Sequence, residues 1–272
     1  MPEDLGELLS NGFRTWNGNV NIAIPFLLNT VTSILVAFIA MVTALVPVAR
    51  DLLPVLEGAT VIPGQPRISP EDLLPVLIAH FDEILVIGGI FSVVIILIRT
   101  FFIAGAIGMA KEATNSGATI FSDMVDYGKD YTFALFPAKL LISVIMFAPI
   151  FLLLSGLVTT VNGFMAVIVA MLPYMATIFI IFQLVDYAIV LDDLGTLEGL
   201  KTGMEIFLKN KTDVILLVVV VLGISVILNL STSIHPVLTF VGLLVSLLVV
   251  RPLTVVWWTR FYQDRKYEVT GT

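Results

Sequence analysis

The sequence contains no cysteine, and charged residues account for only 13% of its 272 residues. The absence of cysteine excludes disulfide bonds, thiolate metal ligands and cysteine nucleophiles. A soluble domain carries about 25% charged residues, so this chain has roughly half the usual charge. Its formal net charge of −7 argues against nucleic-acid binding, which requires a basic surface. The low charge also argues against an ordinary soluble domain.

Motifs of the common enzyme classes are also missing. The sequence has no Gly-rich phosphate loop, no nucleophile elbow and no HExxH motif. Its two histidines, His80 and His235, fall between apolar runs. They are interpreted as solvated loop histidines, with a metal site that includes Asp82 and Glu83 as the alternative. The acidic pair Asp192–Asp193 is typical of a solvated helix end. We therefore expect no enzymatic activity, no cofactor and no bound metal.

What the sequence has in excess is apolar surface. Hydrophobic residues make up 58% of the chain, and the mean hydropathy is +1.04. The natural solvent for such a chain is a lipid bilayer, which a helix of about 20 apolar residues can cross. The sequence predicts an all-α integral membrane protein, a single membrane domain over residues 1–272. Six runs are long enough to span: Val20–Val48, Ile84–Ile107, Thr132–Val158, Gly163–Leu191, Val214–Leu230 and Pro236–Trp258.

The distribution of basic residues predicts the orientation of these spans. Nine lysines and arginines fall on one side, and two, Arg50 and Arg67, fall on the other. Because cytoplasmic loops carry the excess of basic residues, we expect a multi-pass protein of the plasma membrane with both termini cytoplasmic. The outer loop, 49–83, contains a helix start at Ser69 and Pro70. It is predicted to form a small, acidic, partly helical cap.

An amphipathic segment precedes each odd-numbered span on the predicted cytoplasmic side. The three segments read LGELLSNGFRTW, IFSDMVDYGKDY and LEGLKTGMEIFL. Their helical apolar spacing predicts helices that lie in the membrane interface, with Trp16, Tyr131 and Phe207 on the apolar faces.

These segments also indicate an internal repeat. Gly12, Trp16 and Asn19 have the same spacing as Gly203, Phe207 and Asn210. We predict three units, each an interfacial helix followed by a hairpin of two spans. The units cover about 1–116, with the outer loop 49–83, then about 117–193, and then about 194–272. Glycines at four-residue intervals in the third segment would allow another helix to approach closely: Gly195, Gly199 and Gly203.

Two stretches carry a resemblance to known proteins. They are VLDDLGTLEGLKTGMEIFLKNKTDVILLVVVV and FFIAGAIGMAKEATNSGATIFSDMVDYGKDY. Both are similar to elements of uncharacterised multipass membrane proteins of archaea and bacteria, related to the membrane domain fused to some glycerophosphodiester phosphodiesterases. The resemblance implies a six-span fold and an archaeal origin. It implies no catalytic residue, because the phosphodiesterase domain itself is not in this sequence.

Four ionisable residues fall inside the predicted spans. Aligning the three units places IRTFFIAG, VDYAIVLD and VRPLTVVW in register, so that Arg99, Asp186 and Arg251 share one position. Lys139 enters at a similar depth from the third span, roughly 10–14 Å inside the boundary at 1.5 Å per residue. Three interpretations remain: a structural ion pair between units, a basic layer that binds phosphate, and unconnected side chains that snorkel to the interface.

The expected function follows from the basic excess of this layer. We expect a membrane protein that binds an anionic lipid headgroup or a phosphate-bearing ligand at the cytoplasmic leaflet. The alternative is a small-solute or ion transporter or channel that uses the same charged layer. Membrane lipids are the expected partners, and the glycine strip is compatible with a homo-oligomer or another membrane protein as partner.

Overall fold

In a computed structural model, residues 3–58, 75–76, 78–157, 161–232 and 236–270 are described. All regular elements in these ranges are helical, and six of the helices are long and apolar enough to cross a membrane. This confirms the predicted all-α architecture with six candidate spans. Their bounds are Val20–Leu53, Phe81–Ser116, Phe121–Pro149, Val169–Leu191, Lys211–Leu230 and Val237–Lys266.

The helices are numbered here along the chain. A 3₁₀ turn, Val20–Ala23, separates the first two, and a π-helical turn, Ser246–Val250, joins the last two. The helices are α1 Leu5–Gly18, α2 Ile24–Gly58, α3 Phe81–Ser116, α4 Phe121–Leu157, α5 Val161–Ile181, α6 Val185–Leu191, α7 Thr196–Lys209, α8 Lys211–Thr232, α9 Pro236–Val245 and α10 Arg251–Thr270.

The predicted outer loop 49–83 is shorter than expected, because α2 continues to Gly58 and α3 begins at Phe81. Helix α2 continues to Gly58 although Pro47 and Pro54 lie within it. The predicted helix start at Ser69 lies outside the described residues. Parts of both predicted hairpin turns, residues 158–160 and 233–235, lie outside them too.

The chain divides into two compact units, residues 30–99 and residues 1–29 with 100–272. In the smaller unit, the helical segments expose most of their large apolar side chains. Val31 and Ile34, for example, each expose 65% of their surface. A surface of this kind is stable against acyl chains and not against water.

The larger unit has a buried core of aromatic and small side chains. Trp258, Phe261 and Tyr262 on α10 are almost fully buried, together with Leu8 on α1. Each buried aromatic removes about 150–250 Å² from solvent, so α10 dominates this core. The alanines and glycines of α3 between Ala104 and Ala110 are buried as well.

Two short helices, α1 and α7, pack on the ends of longer ones. Helix α1 starts with a capping box between Asp4 and Glu7 and contacts α10. Helix α7 contacts α6. The second predicted interfacial segment differs, because it continues without a break into the third span as α4. Asn19 and Asn210 end α1 and α7, whereas Leu135 stands at the equivalent position of α4 and provides no cap.

Glycines allow these close contacts. Gly12 lies against the indole of Trp257, and Gly199 lies against Ile189. A Cβ added at Gly203 would lie 2.8 Å from the backbone of Val185. Gly199 and Gly203 therefore face α6 of the same chain. The helix that the glycine spacing allows to approach is thus one of the same chain at these two positions, and a partner protein stays a prediction.

We expect Gly203→Ala to destabilise the larger unit by about 1–3 kcal/mol, because backbone atoms of Val185 cannot move aside cheaply. Gly223→Ala is the matched control, since a Cβ there meets nothing within 4 Å. Alanine at that helical position is expected to be neutral or stabilising by up to about 1 kcal/mol. Thermal unfolding in detergent measures both. If the two substitutions change the unfolding temperature equally, close packing of Gly203 on Val185 is contradicted.

Candidate functional site

Lys139 and Asp186 form an ion pair within the predicted charged layer. Nζ of Lys139 on α4 lies 2.5 Å from Oδ2 of Asp186 on α6. Asp186 exposes only 8% of its surface. A buried carboxylate is costly unless a cation and hydrogen bonds compensate it. The pair therefore neutralises the one acidic residue of the predicted layer.

The chain is irregular just before Asp186. The fourth span is divided into α5 and α6 by a turn at Phe182–Leu184, and Asp186 lies in the first turn of α6. Its Oδ2 is bonded to Lys139, but its Oδ1 is buried without a hydrogen-bond partner among the described residues. This oxygen has unused capacity to accept a hydrogen bond.

A second irregularity precedes Arg251. The π-helical turn Ser246–Val250 ends directly at this residue, which is exposed at the start of α10. π-Helical turns are rare and occur frequently at functional sites. Arg251 in the sixth span therefore follows a local break in the helix, as Asp186 does in the fourth span.

Arg99 is the last residue of the smaller unit, where it is exposed on α3. The ion pair that the structure shows among the four residues of the predicted layer is Lys139–Asp186. Arg99 and Arg251 each place an exposed guanidinium on an apolar span.

A polar cluster that was not predicted lies at the end of the fourth span. Oδ2 of Asp192 accepts a hydrogen bond from the Tyr262 hydroxyl at 2.8 Å, and Nζ of Lys266 lies 2.6 Å from Oδ1. The Asp192 side chain is only 11% exposed. The interpretation of Asp192 as a solvated helix end is therefore wrong. Its partners are more than 65 residues away along the chain, so only the packing of α10 brings them there.

A second cluster joins the segment before α1 to α10. Oε1 of Glu3 lies 2.5 Å from the guanidinium of Arg260 and accepts a hydrogen bond from the Asn11 amide. The backbone N–H of Glu3 donates to Asp264. The contacts hold Glu3 firmly against α10. Sequence spacing offered no signal for them, because Glu3 and Arg260 lie at opposite ends of the chain.

Among the predicted loop histidines, His80 is part of an ion-pair cluster in the smaller unit. Its Nε2 lies 2.9 Å from Asp51, and its Nδ1 lies 3.2 Å from Glu83. The hydrogen bond to Asp51, followed by that to Glu83, raises the pKa of His80 above its usual 6.5. His80 is therefore held by two acidic side chains, and His235 lies outside the described residues. Among the residues that the structure describes, no group of three or more histidine or acidic side chains is arranged to hold a metal ion.

Replacing Asp186 by asparagine leaves the Lys139 ammonium without its carboxylate. We expect Asp186→Asn to lower the free energy of unfolding by about 3 kcal/mol, the lower end of the range for breaking a buried pair, because Lys139 is 29% exposed. The double variant Lys139→Met with Asp186→Leu should recover most of this loss. The exposed pair Lys201–Glu205 serves as control, and Lys201→Met should change stability by less than about 1 kcal/mol. Chemical unfolding in detergent is the measurement. If Asp186→Asn leaves the free energy of unfolding unchanged, the Lys139–Asp186 pair does not stabilise the protein.

The His80 cluster predicts a pH dependence of stability. Because the pKa of His80 is raised in the folded protein, its stabilising contribution is complete below about pH 6.5 and is lost as the pH rises through the folded pKa. We expect the unfolding temperature to fall over that interval. His80→Gln should remove this fall in the unfolding temperature with pH. His235→Gln, which replaces the other histidine, should retain it. If the unfolding temperatures of the two variants depend on pH in the same way, the His80 cluster does not stabilise the protein.

Two comparisons with known proteins found a match. The chain is similar to an uncharacterised protein of Archaeoglobus fulgidus, at 26% identity over 97% of each chain. No solved structure matches. A family model described as a domain of unknown function (DUF7847) matches residues 34–263. The chain therefore belongs to the DUF7847 family.

Proposed function

We propose that this protein is a non-enzymatic membrane protein in which Arg99 and Arg251 each bind phosphate. The phosphate belongs to an anionic lipid headgroup or to a phosphate-bearing solute. The observation that carries the proposal is the exposure of both arginines on spans that are otherwise apolar.

The energetic argument starts from the cost of these arginines. An arginine at the centre of a span costs about 2.5–3.5 kcal/mol on insertion scales. Its long side chain reduces this cost when the guanidinium reaches the interface. There it meets lipid phosphate, which it can bind with two parallel hydrogen bonds. Asp186 does not provide this compensation, because its Oδ2 is bonded to Lys139 and its Oδ1 makes no bond.

The orientation that we propose places these arginines toward the cytoplasmic leaflet of the plasma membrane. Helices α1 and α7 support it. Both have 14 residues, and both end at an asparagine whose side-chain amide donates to a carbonyl one turn earlier. Leu197 at the start of α7 is 75% exposed and would insert into the interface. Anionic lipids concentrate on the cytoplasmic leaflet, where basic residues are attracted to them.

The contacts of α1 and α7 also support the proposed repeat. Gly12 of the first unit packs on Trp257 of the third, and Gly203 of the third packs on Val185 of the second. Gly128 of the second unit packs on Phe101 of the first. Each unit thus places a glycine against the even-numbered span of the preceding unit, in a closed order. We propose on this basis that the chain resembles multipass proteins related to the membrane domain fused to some glycerophosphodiester phosphodiesterases.

One observation favours a second candidate function, the transport of a small solute or ion. The fourth and sixth spans are interrupted directly before Asp186 and Arg251. Interrupted spans form the substrate sites of many secondary transporters. Solute flux in proteoliposomes that Asp186→Asn abolishes would favour this function over lipid binding.

The double variant Arg99→Ala with Arg251→Ala tests phosphate binding. At about 1 kcal/mol for each basic residue near an anionic surface, we expect binding of phosphatidylglycerol to weaken at least tenfold. Native mass spectrometry of the protein released from nanodiscs measures the retained lipid. The control is Arg14→Ala with Lys201→Ala, two exposed cations on α1 and α7. Equal losses in both double variants would indicate general charge attraction and would overturn the proposed site.

A further inference from the structure

A polar pocket lies where three spans end. The second span ends at Ser116, the fourth at Leu191 and the sixth at Lys266. The pocket has a volume of about 460 Å³. It is lined by residues from these three ends and from the segment before α1: Glu3, Thr114, Asn115, Leu191, Asp192, Arg260, Gln263, Asp264 and Lys266.

Most of the lining residues are polar, and they carry charges of both signs. Among the described residues, three carboxylates, two cations and the apolar Leu191 line the pocket. A ligand with a large apolar surface would leave these groups without water or partners. An ion of a single sign would be attracted by one set of charges and repelled by the other. The lining therefore suits a small polar ligand that itself carries both charges.

The charged groups of the pocket are held in place before any ligand arrives. Asp192 is fixed by Tyr262 and Lys266, at 2.8 and 2.6 Å. Glu3 is fixed by Arg260 and by its backbone bond to Asp264 at 2.7 Å. Fixed groups lose little conformational entropy on binding, which favours affinity and specificity.

The Glu3–Arg260 pair retains hydrogen-bonding capacity. Oε2 of Glu3 and Nε of Arg260 are buried without a hydrogen-bond partner in the described part of the chain. Oε2 is a hydrogen-bond acceptor and Nε is a hydrogen-bond donor, so the pair has unused capacity of both kinds. The amide of Gln263, which donates to Asn115 at 3.2 Å, adds polar groups on the same wall.

We propose that this pocket binds a small zwitterion that carries an ammonium group and an anionic oxygen a few bonds apart. Glu3 and Asp264 receive the ammonium group, and Arg260 and Lys266 receive the anionic oxygen. A phosphoethanolamine headgroup and a free zwitterionic solute share this chemistry. The pocket uses neither Arg99 nor Arg251, so the proposal is independent of phosphate binding at those arginines.

Isothermal titration of the purified full chain with three probes tests the proposal. The probes are sn-glycero-3-phosphoethanolamine, its anionic half glycerol 3-phosphate, and its cationic half ethanolamine. We expect the zwitterion to bind with a Kd at least tenfold below that of either half, because only the zwitterion satisfies both sets of charges. Affinities within threefold of one another, or no binding of the zwitterion, would overturn the proposal.

Two substitutions should shift the preference in opposite directions. Glu3→Gln should weaken zwitterion and ethanolamine binding while sparing glycerol 3-phosphate, and Lys266→Gln should do the reverse. Asp264→Asn replaces Glu3→Gln if thermal unfolding shows that the latter is not folded. The matched control is the exposed pair of α7, substituted singly as Lys201→Gln and Glu205→Gln. Unchanged zwitterion affinity in the folded pocket variants would overturn the site.

Nanodiscs distinguish the two sources of the zwitterion. If phosphatidylethanolamine in the disc competes with the soluble probe and phosphatidylglycerol does not, the pocket binds a lipid headgroup. If neither lipid competes while the probe still binds, the pocket binds a free solute. Both results support a zwitterion site. Equal competition by the two lipids would contradict the required ammonium group.

Discussion

The larger unit depends on the close approach of two short helices, α1 and α7, to the ends of longer ones. Gly12 lies against the Trp257 ring, and Gly203 lies against the backbone of Val185. Larger residues at these positions would force the helices apart. The contacts determine which face of α10 meets α1 and which face of α6 meets α7. Because Arg260, Lys266 and Asp192 lie on those same helices, the apolar contacts also position the polar groups.

Charge pairing is the second constraint. Buried or half-buried ions are stable only when opposite charges and hydrogen bonds compensate their desolvation. Lys139 meets Asp186, Arg260 meets Glu3, and Lys266 meets Asp192. These pairs join segments that are far apart in the chain. They contribute to the choice of partner helices as well as to stability, since an incorrect arrangement would leave ions uncompensated.

The two proposed ligand sites follow different physical rules. Arg99 and Arg251 are exposed on apolar spans, where the phosphate of surrounding lipid can reach them. The pocket at the span ends has paired charges of both signs, so its ligand must match a fixed pattern. A membrane protein with both features would contact lipid along its spans and a zwitterion at their ends.

The sequence by itself determined the six apolar spans and the all-α class, because hydropathy over about 20 residues is a local property that the bilayer imposes. It also identified Lys139 and Asp186 as ions that needed compensation. It did not reveal their pairing, the continuous helix α4, or the pocket at the span ends. Glu3 and Arg260 are separated by 257 residues. Only the tertiary structure decided these contacts, because side-chain pairing across helices depends on rotation and packing, which hydropathy does not encode.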